Sequence, residues 1–374
     1  MLRICTKILL PVLLIFLGTA CEPEHLENPA VETVFTVESL LAKIPDEPSK
    51  AVLITTPEDF SHNENLQDLL LNAISPTECG ATKLAEVSGR YFEKLLANPE
   101  ALDHLAHYKY LNRQAAKLGI GSDYYGSNSI HTQFVGKLER DLERFWNIDR
   151  EINILGQHNQ TLEDRESLAD IYWYSINDME SKEEAYRLAD AIIALNQKFP
   201  ELIRSPFISS DGFAAQNGKI VVGDGLIKLF AETGLQNDIV WTGIVTHEWA
   251  HQIQFHFMNS WYPSDNQMDA AERTRMLELE ADFFSGYYMT HKRGATFNWK
   301  RAEEFFELFY QAGDCSFEFE QHHGTPLQRK QASFEGYLLA EAAKKKGQIL
   351  SPQELHDYFL LKVLPETVRE LQYF

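Results

Sequence analysis

Two histidines and a glutamate in the run His247-Glu248-Trp249-Ala250-His251 are the residues of this chain best able to do chemistry. Apolar residues flank the run, within GIVTHEWAHQIQFH, and no proline interrupts it, so the segment reads as a helix. Positions four apart share a helix face, which lets His247 and His251 grip one metal ion. Glu248 projects beside them, where it can take a proton from a metal-activated water. An HExxH string arises by chance in roughly a few per cent of chains of this length, so its weight depends on whether further ligands lie downstream. Such ligands are present in Glu278-Leu279-Glu280-Ala281-Asp282-Phe283-Phe284-Ser285-Gly286, again of helical composition. A catalytic zinc takes three protein ligands and leaves one position open. Glu278 qualifies as the third. Asp282, one turn further on the same face, can accept a hydrogen bond from the free ring nitrogen of a zinc-binding histidine. Glu280 points away from Glu278 and is the weaker candidate. The competing account makes these carboxylates an acidic, solvated helix face.

The elements that must position these residues are legible as patterns. A helix is predicted from Asp238 to about Phe257 and another from Ala270 to Tyr288, linked through Asn259 to Asn266. Before them, Phe207–Ser210 and Lys219–Val222 read as two short strands, with Asn217-Gly218 as a turn pair. The second strand is expected to present an exposed edge on which an extended peptide could pair above the metal. The alternative is a strand that merely completes a small sheet. Upstream, apolar spacing predicts helices over Asn65–Ile74, Lys83–Leu96, Ala101–Leu118 and Gln133–Ile154, the last two separated by a Gly, Ser and Tyr-rich loop, Gly119–Ser129. Thr161 followed by Asp164, and Ser181 followed by Glu184, mark two further helix starts, the second as a capping box. No repeat period emerges. The scattered His104, His107, His131 and His158 read as surface or core residues. This half is expected to serve as scaffold, cleft wall or partner surface.

Residues 1–20 read as a signal peptide: Arg3 and Lys7, the apolar run Ile8–Leu17, then Gly18-Thr19-Ala20. The apolar run is too short for a stable membrane-spanning helix. Cys21, directly after the small residues, resembles the acylated cysteine of a bacterial lipoprotein, although Leu17 lies one place further from it than such signals prefer. Ordinary secretion with a stray cysteine is the alternative. A polar tether then runs to about Pro48. With Cys5 in the signal and Cys21 lipidated, Cys79 and Cys315 could pair or stay as buried thiols. The net charge is -21, and a surface so acidic repels nucleic acid and anionic headgroups. Nucleic-acid binding is not expected.

A third segment joins the two helices: Gly313-Asp314, then His322-His323-Gly324-Thr325-Pro326-Leu327-Gln328-Arg329, then Phe334-Glu335-Gly336. The succession HEWAH, ELEADFFSG, GD and HGTPLQR…FEGY resembles the bacterial neutral zinc metallopeptidases, which show an HExxH, an ELQAD-type motif and an HGT..QR segment in the same order. It is also similar to the membrane-associated gluzincins that include the CAAX prenyl endopeptidases. The resemblance covers about Phe207 to Tyr337; the helical region before Arg204 resembles no family we can name. It implies His247, His251 and Glu278 as ligands of one zinc ion and Glu248 as general base. Glu280 and Phe283 stand where the first family usually has Gln and Cys, changes that should not touch the metal. Within the resemblance, His323 is a candidate catalytic residue, hydrogen-bonding the oxyanion of a tetrahedral intermediate, or else a His-Gly turn packing beside the site. Arg329 is expected to orient the motif by pairing with a carboxylate such as Asp282. His322 is read as a neighbour without a role.

Together these readings predict an α+β, predominantly helical fold: a helical region at 49–203 and a zincin-like metalloprotease domain with a small sheet at 204–374. The expected function is a zinc-dependent endopeptidase held in the bacterial cell envelope by a lipid on Cys21, with a peptide or unfolded protein as substrate. The runner-up is an envelope assembly or quality-control factor that binds misfolded chains, its zinc site structural or vestigial. A zinc hydrolase of cell-wall amides is a third reading, disfavoured by the extended edge strand.

Overall fold

The computed structural model describes residues 81–364, apart from 177–178, 263–269, 315–322 and 344–346. The expected signal peptide, the Cys21 lipidation site, the tether, the helix at Asn65–Ile74, and Cys79, Cys315 and His322 lie outside the described residues. Within them the fold is α+β and predominantly helical, with one three-stranded sheet.

Three long helices open the described chain: α1 (Lys83–Leu96), α2 (Leu105–Leu118) and α3 (Thr132–Trp146). Thr82 caps α1, its side chain accepting from the Ala85 amide, as an N-terminal Thr should. The expected helix Ala101–Leu118 is broken at His104, which closes a one-turn helix, Pro99–Asp103, and precedes α2. The helix expected to run from Gln133 to Ile154 stops at Trp146, because Asn147 takes a left-handed conformation with φ 44°. The chain then enters a strand the sequence pattern does not announce, β1 (Asn153–Gln157). Helix α4 (Arg165–Ser175) is capped by Asp164 rather than Thr161, and α5 (Lys182–Lys198) by Ser181.

Phe207–Ser210, expected as a strand, is instead a 3-10 turn over Pro206–Ser209. Pro206 sits at its first position, where the ring's fixed φ suits a helix start, and the Ser205 hydroxyl accepts from the Phe207 amide at 3.4 Å. The strand comes just after, as β2 (Gly212–Ala214), and pairs antiparallel with β3 (Lys219–Gly223). The turn between them uses Gly218 at φ +84°, a conformation Gly adopts without strain. Sheet order is β1-β3-β2, with β1 parallel to β3. Strand β3, expected as the peptide-binding edge, is instead the central strand, paired on both sides, and the edges are β1 and β2. The boundary drawn at Ile203/Arg204 therefore runs through a shared sheet, and one hydrophobic cluster extends from Leu84 to Leu364.

Helix α6 (Asp224–Ala231) leads into α7 (Asn237–Trp261), where every residue from Ile239 to Gln254 is buried. A helix apolar on all sides belongs in the core, and here the core carries the HEWAH histidines. Around α7 stand α8 (Ala270–Thr290), α9 (Trp299–Ala312), α10 (Pro326–Ala343) and α11 (Pro352–Tyr358). Helices α8 and α10 touch backbone to backbone. A Cβ on Gly286 would lie 2.0 Å from the Ser333 carbonyl oxygen, and one on Gly336 would lie 2.1 Å from that of Phe283.

Candidate metal centre

Three elements bring the site together. Helix α7 supplies His247, Glu248 and His251; α8 supplies Glu278 and Asp282; the start of α10 supplies Arg329. That start is built by a reciprocal cap. The Gln328 amide donates to the Thr325 hydroxyl at 3.2 Å, and the Thr325 amide donates to the Gln328 side-chain oxygen at 3.0 Å. With Pro326 at the first helical position, this is a capping box read in Gln rather than Glu. The HGTPLQR run is thus a helix launcher, and it aims Arg329 at α8. Arg329 then donates twice to Asp282, Nε to Oδ2 at 2.8 Å and Nη2 to Oδ1 at 2.8 Å. The expected pairing of Arg329 with Asp282 is present, as the bidentate fork that guanidinium and carboxylate favour. Burial opposes the charge on Arg329, and Asp282 more than reverses this, raising its pKa further.

The donor atoms of His247, His251 and Glu278 converge, and all three residues are buried. The two Nε2 atoms lie 3.1 Å apart. From Glu278, Oε2 lies 3.1 Å from His247 Nε2 and Oε1 lies 3.3 Å from His251 Nε2. A tetrahedral ion with bonds of about 2.0–2.2 Å spaces its ligands about 3.3–3.6 Å apart, close to these separations. The hydrogen positions point the same way. His247 Nδ1 faces the Asp282 carboxylate at 2.9 Å. His251 Nδ1 faces the Gln254 side-chain oxygen at 2.7 Å. That oxygen is assigned by its partner nitrogen, which lies 2.9 Å from the Leu277 carbonyl, a group that can only accept. Each Nδ1 therefore carries a hydrogen, and in the neutral ring each Nε2 turns a lone pair toward Glu278. Neither oxygen of Glu278 completes a regular hydrogen bond, although the side chain is fully buried. Acceptors facing acceptors in a dry site favour a cation between them, beyond the Arg329 guanidinium that lies 3.3 Å from Glu278 Oε2. These residues can hold a metal ion.

The electrostatics agree. Burial would raise the Glu278 carboxyl, but the imidazoles of His323, His251 and His247 reverse this and hold it well below the usual range. Burial would lower His247, and Glu278 with Asp282 more than reverses it, so this ring binds a proton more readily than an ordinary histidine. In the metal-free protein that proton stands where the metal's charge would be. Glu248 behaves differently: burial pushes its carboxyl up to about 7, against the pull of His247 and His251. Its Oε2 is buried without a hydrogen-bond partner. A carboxyl poised near neutrality with a free oxygen is suited to give and take a proton.

His323 is buried at the edge of this cluster, close enough to influence Glu278 but outside the three-ligand group. Asp314 holds it: Asp314 Oδ2 accepts from the His323 amide at 3.0 Å and lies 3.5 Å from His323 Nδ1. On the other side, β2 passes over Glu248, and a Cβ on Gly212 would lie 3.8 Å from Glu248 Oε1. Gln252 fastens this hairpin to α7, donating from Nε2 to the carbonyls of Ala215 and Lys219 at 2.9 Å each. Glu280 is not in the metal cluster, but it is as buried as Glu278 and Asp282, so the solvated-face account of this helix fails. Gln254 and Gln252 escape a reading of the sequence alone, and Asp314 enters it only within the GD motif, without a role. Of the two glutamines, Gln254 leaves a usable trace, three residues after His251 on the same helical face.

Comparison with protein-family models, with curated proteins and with solved structures finds no match to the chain.

Proposed function

We propose that this protein is a zinc-dependent endopeptidase of the zincin type. The observation that carries the proposal is the convergence of two histidine lone pairs and the Glu278 carboxylate beside Glu248, a buried carboxyl poised near neutrality. Three protein ligands leave a tetrahedral ion one open position, as catalytic rather than structural zinc sites do. A structural zinc would have no use for Glu248. Zinc, when bound, supplies Lewis-acid polarisation of the scissile carbonyl and acidifies the attacking water. Glu248 takes the proton from that water and hands it to the leaving amine. His323, held by Asp314, donates to the oxyanion. Asp282 fixes the ring of His247, and Arg329 holds Asp282.

Strand β2, not β3, is the sheet edge nearest Glu248, the position an extended substrate would take. Asp211 accepts from Gly223 and Ala215 donates to Lys219, so alternate residues face β3 and the backbone groups of Gly212 and Ala214 point away from it. A peptide paired there would run past Glu248. An unfolded or extended chain is the substrate class this favours over a sugar. For location, the N-terminal pattern through Cys21 supports a lipid anchor in the bacterial envelope. No described helix is long and apolar enough to cross a membrane.

The test tracks cleavage of an unfolded protein by mass spectrometry, using the zinc-loaded chain beginning after Cys21 and the Glu248→Gln variant at equal metal content. Cleavage by the first and not by the second is expected. Zinc bound in both with no cleavage by either would refute the endopeptidase and favour the chain-binding role.

A further inference from the structure

Glu280 faces away from the metal ligands, yet its carboxyl is fully buried and partnered on both oxygens. Gln254 donates from Nε2 to Oε2 at 3.0 Å, and the Tyr262 hydroxyl donates to the same oxygen. His356, on α11, meets the other oxygen through Nδ1 at 2.6 Å. The His356 ring lies flat on Trp261, centroids 4.4 Å apart and planes within 5°. A carboxyl with this many fixed partners in a dry core is a device for orientation, because apolar residues of the same volume would stabilise a core at least as well. What it orients can be traced link by link. The Leu277 carbonyl and Glu280 both demand a donor, so the Gln254 amide nitrogen must face them. Its oxygen must then face His251, and His251 must keep its hydrogen on Nδ1. The lone pair on Nε2 is the consequence.

We infer that Gln254, Glu280, Tyr262 and His356 are positioning residues for the metal site, a buried relay that holds His251 in its metal-binding tautomer and rotamer and makes helix α11 part of the machinery that sets metal affinity. The inference rests on His251 being a ligand, as in the proposed function. Partners of ligating residues of this kind typically govern metal affinity by about 10–100-fold. The relay also accounts for a polar residue at position 280, where the hydrogen-bond acceptor rather than the charge is what Gln254 requires.

The test titrates the full chain with cobalt(II) and with zinc against a competing chelator, and records the visible ligand-field spectrum of the cobalt form. Gln254→Met keeps side-chain length and removes the amide. It should weaken metal binding about 10–100-fold and alter the cobalt spectrum, while the metal-free protein still melts cooperatively. His356→Phe keeps an aromatic ring for the stack on Trp261 and removes the ring nitrogens; it should weaken binding in the same direction, and it carries the test if Gln254→Met does not fold. Glu280→Gln retains an acceptor for Gln254 and Tyr262 and can donate to His356, so it should bind like wild type, whereas Glu280→Leu should not. Wild-type affinity and spectrum in both Gln254→Met and His356→Phe would overturn the relay. Equal losses in Glu280→Gln and Glu280→Leu would overturn its hydrogen-bond logic. If the wild type itself binds neither metal, it is the proposed function that falls, which separates the two failures.

Discussion

Replacing Glu248 by Gln should stabilise the metal-free protein while abolishing turnover, and the gain should depend on pH in a defined direction. The folded protein holds this carboxyl at about 7, against an ordinary value of 4.5, chiefly because burial disfavours the charge. Below about 4.5 the group is protonated in both folded and unfolded chains, so its burial brings no ionisation penalty. As pH rises toward 7 the unfolded chain releases the proton and the folded one keeps it, and stability falls. Above 7 the penalty is complete, at about 3 kcal/mol for the full shift, against about 1 kcal/mol near pH 5. Gln is neutral throughout and nearly the same shape as the protonated acid, so it escapes the penalty. The Tm advantage of Glu248→Gln over wild type should therefore grow by about 4–8 °C between about pH 5 and about pH 8.5, taking 2–4 °C per kcal/mol for a domain of this size. Calorimetry or circular dichroism on chelator-treated protein reads this directly. Added metal should shrink the difference, since a nearby divalent charge favours the carboxylate. An equal advantage at both pH values would mean that the amide acts through packing, and would refute the poised carboxyl.

The same geometry sets three further outcomes. Arg329→Met leaves the Asp282 carboxylate buried without its guanidinium, which should destabilise the metal-free fold by about 3–5 kcal/mol in denaturant titration; a loss below about 1 kcal/mol would remove Arg329 from the site's framework. Gly286→Ala places a methyl 2.0 Å from the Ser333 carbonyl oxygen. Helices α8 and α10 must then part, so a loss of about 1–3 kcal/mol or more is expected from overpacking, together with weaker metal binding; an unchanged Tm would contradict the close approach. Zinc affinity, measured by chelator competition, should decline on acidification, because the metal must displace a proton from His247. As its pKa is raised above the ordinary 6.5, the decline should begin above that pH.

The candidate metal ligands are legible in the sequence because their signal is local: two histidines one turn apart, and a Glu with an Asp one turn on. The Arg329–Asp282 pair is legible because opposite charges in a buried setting have few alternatives. Harder to read is everything that depends on partners far along the chain. Glu280 looks like a solvated acid until Gln254, Tyr262 and His356 are brought to it. Strand β1 reads as the tail of a helix, since five residues with one Gly carry too little period to outweigh the apolar spacing before them. The apolar run Phe207–Ser210 looks like a strand, yet Ser205 and Pro206 begin a 3-10 turn there, a signal present in the sequence but outweighed by β-branched and aromatic composition. Which strand lies at the edge is beyond local pattern altogether. It depends on β1 arriving to cover β3.

The glycine contact between α8 and α10 divides the molecule mechanically. With Gly286 and Gly336 pressed against opposing backbone, the helix bearing Glu278 and the helix bearing Arg329 cannot slide or separate without breaking hard contacts, so they form a single stiff anvil. The wall opposite is the β2–β3 hairpin, tied to α7 by the buried side chain of Gln252. The two contacts differ in kind: α8 meets α10 backbone to backbone, whereas the hairpin meets α7 through a side chain, so a strain that parted the hairpin from α7 would leave the α8–α10 contact intact.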